Sequence, residues 1–171
     1  ELGLPQENAR SVLDAGCGTG LCANHLRPYA KTLAGADISA KMLNICLEKG
    51  VYDTLTRTDL SVPATYPEGS FDLVVAADVL VYFGNLEEVF RCIHAKLTPG
   101  GWFIFTVEKA PDPEPPAGYR LNASGRHVHT LDHINSALAT SGFGIAKRHF
   151  EDTIRKELGQ SVDGLSVAAQ K

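Results

Sequence analysis

Asp14-Ala15-Gly16-Cys17-Gly18-Thr19-Gly20 is the stretch that decides the fold of this chain. Ser11-Val12-Leu13 before it reads as a first core strand, and Leu21-Cys22-Ala23-Asn24-His25-Leu26 after it reads as a helix. Strand, glycine-rich turn and helix in that order make a nucleotide cradle. Glycines let the backbone approach a ligand and take turns that a Cβ would forbid. The start of the helix offers unpaired N–H groups and a positive dipole end to an anion. The spacing then separates two kinds of cradle. A dinucleotide loop, G-x-G-x-x-G/A, would need Gly or Ala at position 21, but the chain has Leu21 there and its glycine one place early at Gly20. A carboxylate at Asp14 would repel a pyrophosphate and suits a cationic ligand group.

The same logic continues outward. Thr32-Leu33-Ala34-Gly35-Ala36 reads as a second strand ending at Asp37, where an acid can accept from both hydroxyls of a ribose. Ser39 is placed to cap a helix running to Lys49, with Gly50 as its stop and Met42, Cys46 and Leu47 on its inner face. Leu55 to Thr58 reads as a short third strand leading into Asp59-Leu60, and Ser61 to Ser70, with Pro63, Pro67 and Gly69, as a loop or short helix. Phe71 to Ala77 is a nearly unbroken apolar run, as expected for a central parallel strand buried on both faces. Asp78-Val79-Leu80-Val81-Tyr82-Phe83 follows it, at the end of the sheet where ligand crevices form.

Asn85 and Glu88 form a capping box for a helix whose inner face is Leu86, Val89, Phe90, Ile93 and Leu97, with His94 an ordinary helix residue. Thr98-Pro99-Gly100-Gly101 turns the chain into a fifth strand, Trp102 to Val107. Residues 109–128 hold Pro111, Pro113, Pro115 and Pro116, a composition expected to form neither helix nor paired strand. A loop of that length is usually functional or mobile; this one closes with Arg126-His127-Val128-His129. Thr130 can cap a helix with Leu131, Ile134 and Leu138 inward, ended by Gly142. Phe143 to Phe150 and Gly164 to Ala169 complete the chain as an antiparallel hairpin. The expected architecture is α/β and Rossmann-like: a seven-stranded, mostly parallel sheet with a C-terminal antiparallel hairpin and helices on both faces.

Bulk properties agree with one domain spanning 1–171. At 171 residues the chain can bury a substantial core. Apolar content of 44% and charged content of 21% are ordinary for a globular domain. A formal charge of −4 argues against a nucleic-acid partner. No apolar run reaches the length of a membrane span, no secretory leader is visible, and the four cysteines, 17, 22, 46 and 92, contain no C-x-x-C pair. They read as reduced core residues of a cytoplasmic protein, and no metal site is expected.

Asp-x-Gly-x-Gly-x-Gly at Asp14 to Gly20 resembles the first motif of the class I S-adenosylmethionine (SAM)-dependent methyltransferases. Asp37-Ile38-Ser39 with Met42 matches the family's second motif, Asp59-Leu60 its adenine-facing acid and apolar residue, and Ala77-Asp78-Val79 its fourth motif. The turn Leu97-Thr98-Pro99-Gly100-Gly101 is a further hallmark. The similarity is closest to predicted methyltransferases sometimes joined to tetratricopeptide repeats, on Gly100 to Glu108, Gly125 to His129 and Val162 to Gly164. The resemblance implies SAM as cofactor, with S-adenosylhomocysteine (SAH) as product. It implies cofactor contacts from Asp14, Gly16, Cys17, Gly18, Gly20, Asp37, Ile38, Met42, Asp59, Leu60, Ala77, Asp78 and Val79. Such enzymes usually carry one or two covering helices before the first strand, which are expected to be absent here.

Methyl transfer from a sulfonium mainly requires alignment of acceptor and methyl group. A general base is needed only for a protonated acceptor; His129 and then His127 are the candidates. Tyr82, Arg126 and His129 are the candidates for acceptor contact. No N-P-P-[YF] follows the fourth strand, so a small-molecule acceptor is expected. Two other readings stay open: a non-catalytic SAM-binding regulatory or scaffold domain, and an NAD-type oxidoreductase, which Leu21 and the terminal hairpin disfavour. The acceptor and the oligomeric state are not fixed by the sequence.

Overall fold

The computed structural model of the chain describes residues 3–62, 66–144, 146–157 and 160–171. Pro63, in the loop expected over Ser61–Ser70, and Ile145, in the expected strand Phe143–Phe150, lie outside the described residues.

Among the described residues nine strands, two more than expected, form one sheet. β1 (Arg10–Ala15), β2 (Ala30–Asp37), β3 (Thr54–Arg57), β4 (Phe71–Ala76) and β5 (Leu97–Lys109) are parallel and lie in the order β3-β2-β1-β4-β5. The chain winds outward from β1 to β3, then returns to lay β4 on the other side of β1. That reversal puts the C-terminal ends of β1 and β4 side by side, and the crevice of such a sheet opens there. β8 (Arg148–Glu157) and β9 (Gln160–Gln170) form the antiparallel hairpin, with β9 against β5 from Trp102↔Gln170 to Glu108↔Gly164. The hairpin's first strand starts later than expected. Phe143 sits in the core ahead of it, stacked 5.7 Å from Phe103.

The helices are α1 (Ala23–Leu26), α2 (Ala40–Lys49), α3 (Glu87–Lys96) and α4 (Leu131–Thr140). Several caps sit where the sequence places them. The Ser39 hydroxyl accepts from Met42 N, Thr130 Oγ1 accepts from His133 N, and Gly50 closes α2 in the left-handed region at φ 61°. The main core lies between the sheet and α3 and α4, where Phe90 packs 5.3 Å from Phe103 and 5.0 Å from Phe105. On the other face Leu26, Leu33 and Leu73 form a second cluster with Trp102 and Ile104 half buried beside it.

Three expectations fail here. The first helix starts two residues later than expected, at Ala23 with Cys22 as its N-cap, and is only four residues long; it ends at Leu26 as expected, before a 3₁₀ turn at Arg27–Tyr29 that holds Pro28. On α2 only Cys46 is buried; Met42 is 39% and Leu47 70% exposed. Five residues separate Met42 from Leu47, which is about 140° around a helix, so these two never share a face. The proline-rich segment does contain paired strands. β6 (Tyr119–Leu121) and β7 (His127–His129) begin beyond Pro116 and pair antiparallel, and β7 adds to β5 at Glu108↔Val128 and Lys109↔His129. The prolines block pairing only where they stand, and the hairpin continues the sheet past the end of β4.

Candidate functional site: the crevice at the ends of β1, β2 and β4

Gly16, Gly18 and Gly20 all have positive φ, at 76°, 51° and 79°. Their reasons differ. A Cβ on Gly16 would lie 2.4 Å from Val79 Cγ2, so this glycine exists to let the β1 and β4 loops press together. A Cβ on Gly18 would meet nothing within 4 Å, and its N–H is bonded to Asp37, which lines the crevice. A Cβ on Gly20 would lie 3.2 Å from both Cys46 Sγ and Tyr52 Cε2. Cys17 is buried beneath the loop, and burial raises its thiol pKa, so it packs as an inert side chain.

Asp37 stands at the end of β2. Its Oδ2 accepts from Gly18 N at 2.9 Å and its Oδ1 from Ser39 N at 2.8 Å. The carboxylate therefore ties the glycine loop to the start of α2, and each oxygen keeps a lone pair for a further donor. Asp37, Gly16, Ile38, Asp59, Leu60 and Val79 line one cavity of about 330 Å³. Six residues from four separate sequence motifs thus converge on one space. Thr58, Tyr82 and Phe83 complete its wall. Asp59 Oδ1 accepts from both the amide and the hydroxyl of Ser61, which holds its carboxyl below the usual carboxylate range.

Asp14 is not the open carboxylate expected. It is 2% exposed, and its Oδ2 accepts from the Tyr52 hydroxyl at 2.6 Å. Burial raises its pKa to about 6, against the lowering effect of the Tyr52 bond, with Asp37 raising it further. Tyr52 reaches Asp14 by passing over Gly35, where a Cβ would sit 3.0 Å from its ring. Nothing marked Tyr52 itself in the sequence, but a lone glycine inside a strand does signal a close approach.

Beyond β4, Asp78 adopts φ 54°, a strained value for a non-glycine residue, and its N–H donates to Thr106 Oγ1 at 2.9 Å. Arg126, near the tip of the β6–β7 hairpin, lies 2.5 Å from the Asp78 carboxylate and 3.8 Å from that of Glu108. It also donates to the Tyr82 hydroxyl at 3.4 Å and covers the Tyr82 ring at 5.4 Å. The hairpin is thereby latched across the end of β4. Thr106 and Glu108 were missed from sequence; they lie one alternation apart on β5 and share a face. Ala77, half buried, leads into Asp78, while Met42 stays on the outer side of α2.

His129 is the clearest correction. It is 0% exposed, and its Nε2 donates to Phe83 O at 2.9 Å. Its pKa is lowered to about 4, first by burial, against the backbone hydrogen bonds to Gly84 and Phe83. It packs with His133, His127 and Tyr119 and seats the hairpin, so it cannot meet an acceptor. His127 is half buried in the same cluster, with Nδ1 enclosed. A buried neutral histidine makes the fold acid-sensitive. Its folded pKa is depressed, so the unfolded chain takes the proton first and stability falls as pH drops from about 6.5 to about 4. Asp14, with its raised folded pKa, acts oppositely over a similar range and flattens the total. The His129 contribution emerges by difference: denaturant unfolding at pH 7.5 and 4.5 should show wild type losing about 2–3 kcal/mol more than His129→Gln. Equal losses in the two proteins would return His129 to a solvated setting.

The profile of the family described as a methyltransferase domain matches residues 1–147. The chain belongs to the methyltransferase-domain family. The S-adenosylmethionine dependent methyltransferase from Mesorhizobium loti shares 27% identity at TM-score 0.75, covering 98% of this chain and 94% of that one. SAM is the cofactor of this class, and the methyltransferase crevice described above fits it: an open glycine at Gly18, an acid at the end of β2 and an apolar-walled cavity beside both. The Burkholderia thailandensis 1,6-didemethyltoxoflavin-N1-methyltransferase, solved with S-adenosylhomocysteine, has the same fold at TM-score 0.75 and 20% identity, covering 95% of this chain and 71% of that one. A ubiquinone biosynthesis O-methyltransferase of Bordetella pertussis is 31% identical over 156 residues, which are 82% of this chain and 65% of that protein. That of Paracidovorax citrulli is 33% identical over 111 residues, 61% of this chain and 46% of that protein. The methyltransferase chain spans about half the length of the first curated relatives it matches. Among the described residues no helix is long and apolar enough to cross a membrane, and no histidine, cysteine and acid group could hold a metal ion.

Proposed function

We propose that this domain transfers the methyl group of SAM to an oxygen of a small-molecule acceptor. The single observation that carries the reading is the convergence of Gly16, Asp37, Ile38, Asp59, Leu60 and Val79 on one cavity at the β1–β4 switch point. The oxygen acceptor rests on the named O-methyltransferases among the relatives. When bound, SAM supplies an electrophilic methyl on a sulfonium, so the protein needs to bind, align and exclude water more than to activate.

Asp37 accepts the ribose hydroxyls while its other lone pairs hold Gly18 N and Ser39 N. Asp59 accepts from the adenine amino group, with Ile38 and Leu60 against the ring faces. Gly18 and the loop around it lie against the methionine part. Asp14, raised by burial to about 6 against the lowering effect of the Tyr52 bond, is charged when an ammonium approaches it. Asp78 and Arg126 close the acceptor side. Fold alone does not decide the chemistry: the [4+2]-cyclase SpnF shares this fold at TM-score 0.77 and 19% identity, covering 94% of this chain and 74% of that one. Incubation with SAM and a panel of phenolic and hydroxylated metabolites, read as SAH release, tests the reading. Release above the no-acceptor rate with at least one acceptor is the expected result. Tight SAM binding with release that no acceptor raises would support a non-catalytic SAM-binding domain instead.

A further inference from the structure

A second cavity, a groove of about 610 Å³, lies at the C-terminal end of β5 between the β6–β7 and β8–β9 hairpins. Its walls are polar: Asn122 and Ser124 on one side, Ser161 and Asp163 on the other, with Glu108 and Asp112 between them. Glu108 belongs to two places at once. It lines this groove, and it faces Arg126, which is bonded to Asp78 and Tyr82 at the cofactor cavity. The groove is therefore continuous in side-chain contact with the end of β4, where the transferable methyl is expected.

The charges of the groove select among ligands. Glu108 and Asp78 flank one guanidinium, Arg126. Lys109 is held by Glu151 at 2.6 Å, and Asp112 and Asp163 raise its pKa further, so three acids surround one ammonium. Among the described residues the groove is net acidic, and its uncharged polar lining, Asn122, Ser124 and Ser161, is amide and hydroxyl, with Ala110, Pro111, Val128 and Val162 as its apolar part. Such a surface hydrogen-bonds hydroxyl and amino groups and opposes a carboxylate or phosphate.

We propose that this groove holds the body of the methyl acceptor, and that the acceptor is a small polar molecule carrying hydroxyl or amino groups, neutral or cationic rather than anionic. This rests on the methyl-transfer reading above and adds the substrate class to it. Arg126, bridging Glu108 and Asp78, is then the positioning residue between acceptor and cofactor.

Three probes that share a phenol ring and differ in charge test it: tyramine, 4-hydroxybenzyl alcohol and 4-hydroxyphenylacetate. Each is titrated into the full chain loaded with SAH, and backbone amide shifts are followed by NMR. Tyramine should shift the amides of Asn122, Ser124, Ser161 and Asp163 and bind about tenfold tighter than 4-hydroxyphenylacetate, with the neutral alcohol between them. Asp112→Lys with Asp163→Lys should reverse that order. Equal or tighter binding of the carboxylate, an order unmoved by the charge reversal, or no shift from any probe at millimolar concentration overturns the proposal. The SAH titration is read separately. If SAH fails to bind while tyramine fills the groove, the methyl-transfer reading falls and the groove stands only as a ligand site, not as an acceptor site; if SAH binds and no probe does, the groove falls alone.

Discussion

Gly16→Val should lower the melting temperature by about 4–20 °C even with no cofactor present. At φ 76° a β-branched residue is strained by about 1–2 kcal/mol. The new Cβ would also overlap Val79, whose Cγ2 and Cβ lie 2.4 and 2.6 Å from its position. Overpacking of that kind costs typically about 1–3 kcal/mol, and in a domain of this size each kcal/mol moves the melting temperature by about 2–4 °C. Gly18→Val provides the contrast. Its backbone strain is similar, at φ 51°, but its Cβ would meet nothing within 4 Å. It should melt within a few degrees of wild type and still lose SAM binding, because Gly18 stands on the proposed cofactor loop and its N–H is bonded to Asp37. Calorimetric melting and SAM titration of both variants make the comparison. Equal melting temperatures for the two would remove the Gly16–Val79 contact as the cause. Undiminished SAM affinity in Gly18→Val would move the cofactor off the glycine loop.

Asp37→Ala should weaken SAM binding by about 1.5–3 kcal/mol, roughly ten- to 150-fold, which is the worth of hydrogen bonds to a charged group. Two losses combine in it. The ribose acceptor disappears, and the Gly18 and Ser39 amides lose the carboxylate that ties the loop to α2. Asp37→Asn separates these losses. An amide oxygen can still serve one of the two backbone donors but cannot replace both carboxylate oxygens, so an intermediate affinity is expected. Titration calorimetry at fixed salt reads all three proteins. Wild-type affinity in Asp37→Ala would take the end of β2 out of the site.

The parallel strands were legible from the sequence because each element carries a local signature. Phe71 to Ala77 is apolar without alternation, the mark of a strand covered on both faces. Ser39, Thr130 and Gly50 are residues whose side chain, or lack of one, does one local job at a helix end. The motif acids were legible too, since Asp37 and Asp59 follow strands directly and strand ends point at the crevice. Their convergence with Val79 on a single cavity needed only the strand order. The inner face expected for α2 failed on geometry the sequence already contained, because positions 42 and 47 do not lie on one helical face.

The pairings between distant segments were decided by tertiary structure alone. Local composition named the prolines of 109–128 but could not show that Tyr119–Leu121 and His127–His129 would extend the sheet beyond β4. That hairpin turns His129 from a candidate base into a buried, neutral support, and carries Arg126 to Asp78, 48 positions away. Asp14 changed character in the same way. Its sequence position promised a carboxylate facing a ligand, while burial raises its pKa to about 6 and Tyr52, 38 positions on, takes up one of its oxygens. Protonation states and contacts between loops depend on what the finished fold brings alongside each group, and no local pattern records that. The sequence by itself determined the parallel α/β fold, the glycine loop and the acids that line the cavity beside it; the tertiary structure decided which histidines and carboxylates face the crevice, because only folding sets their burial and their partners.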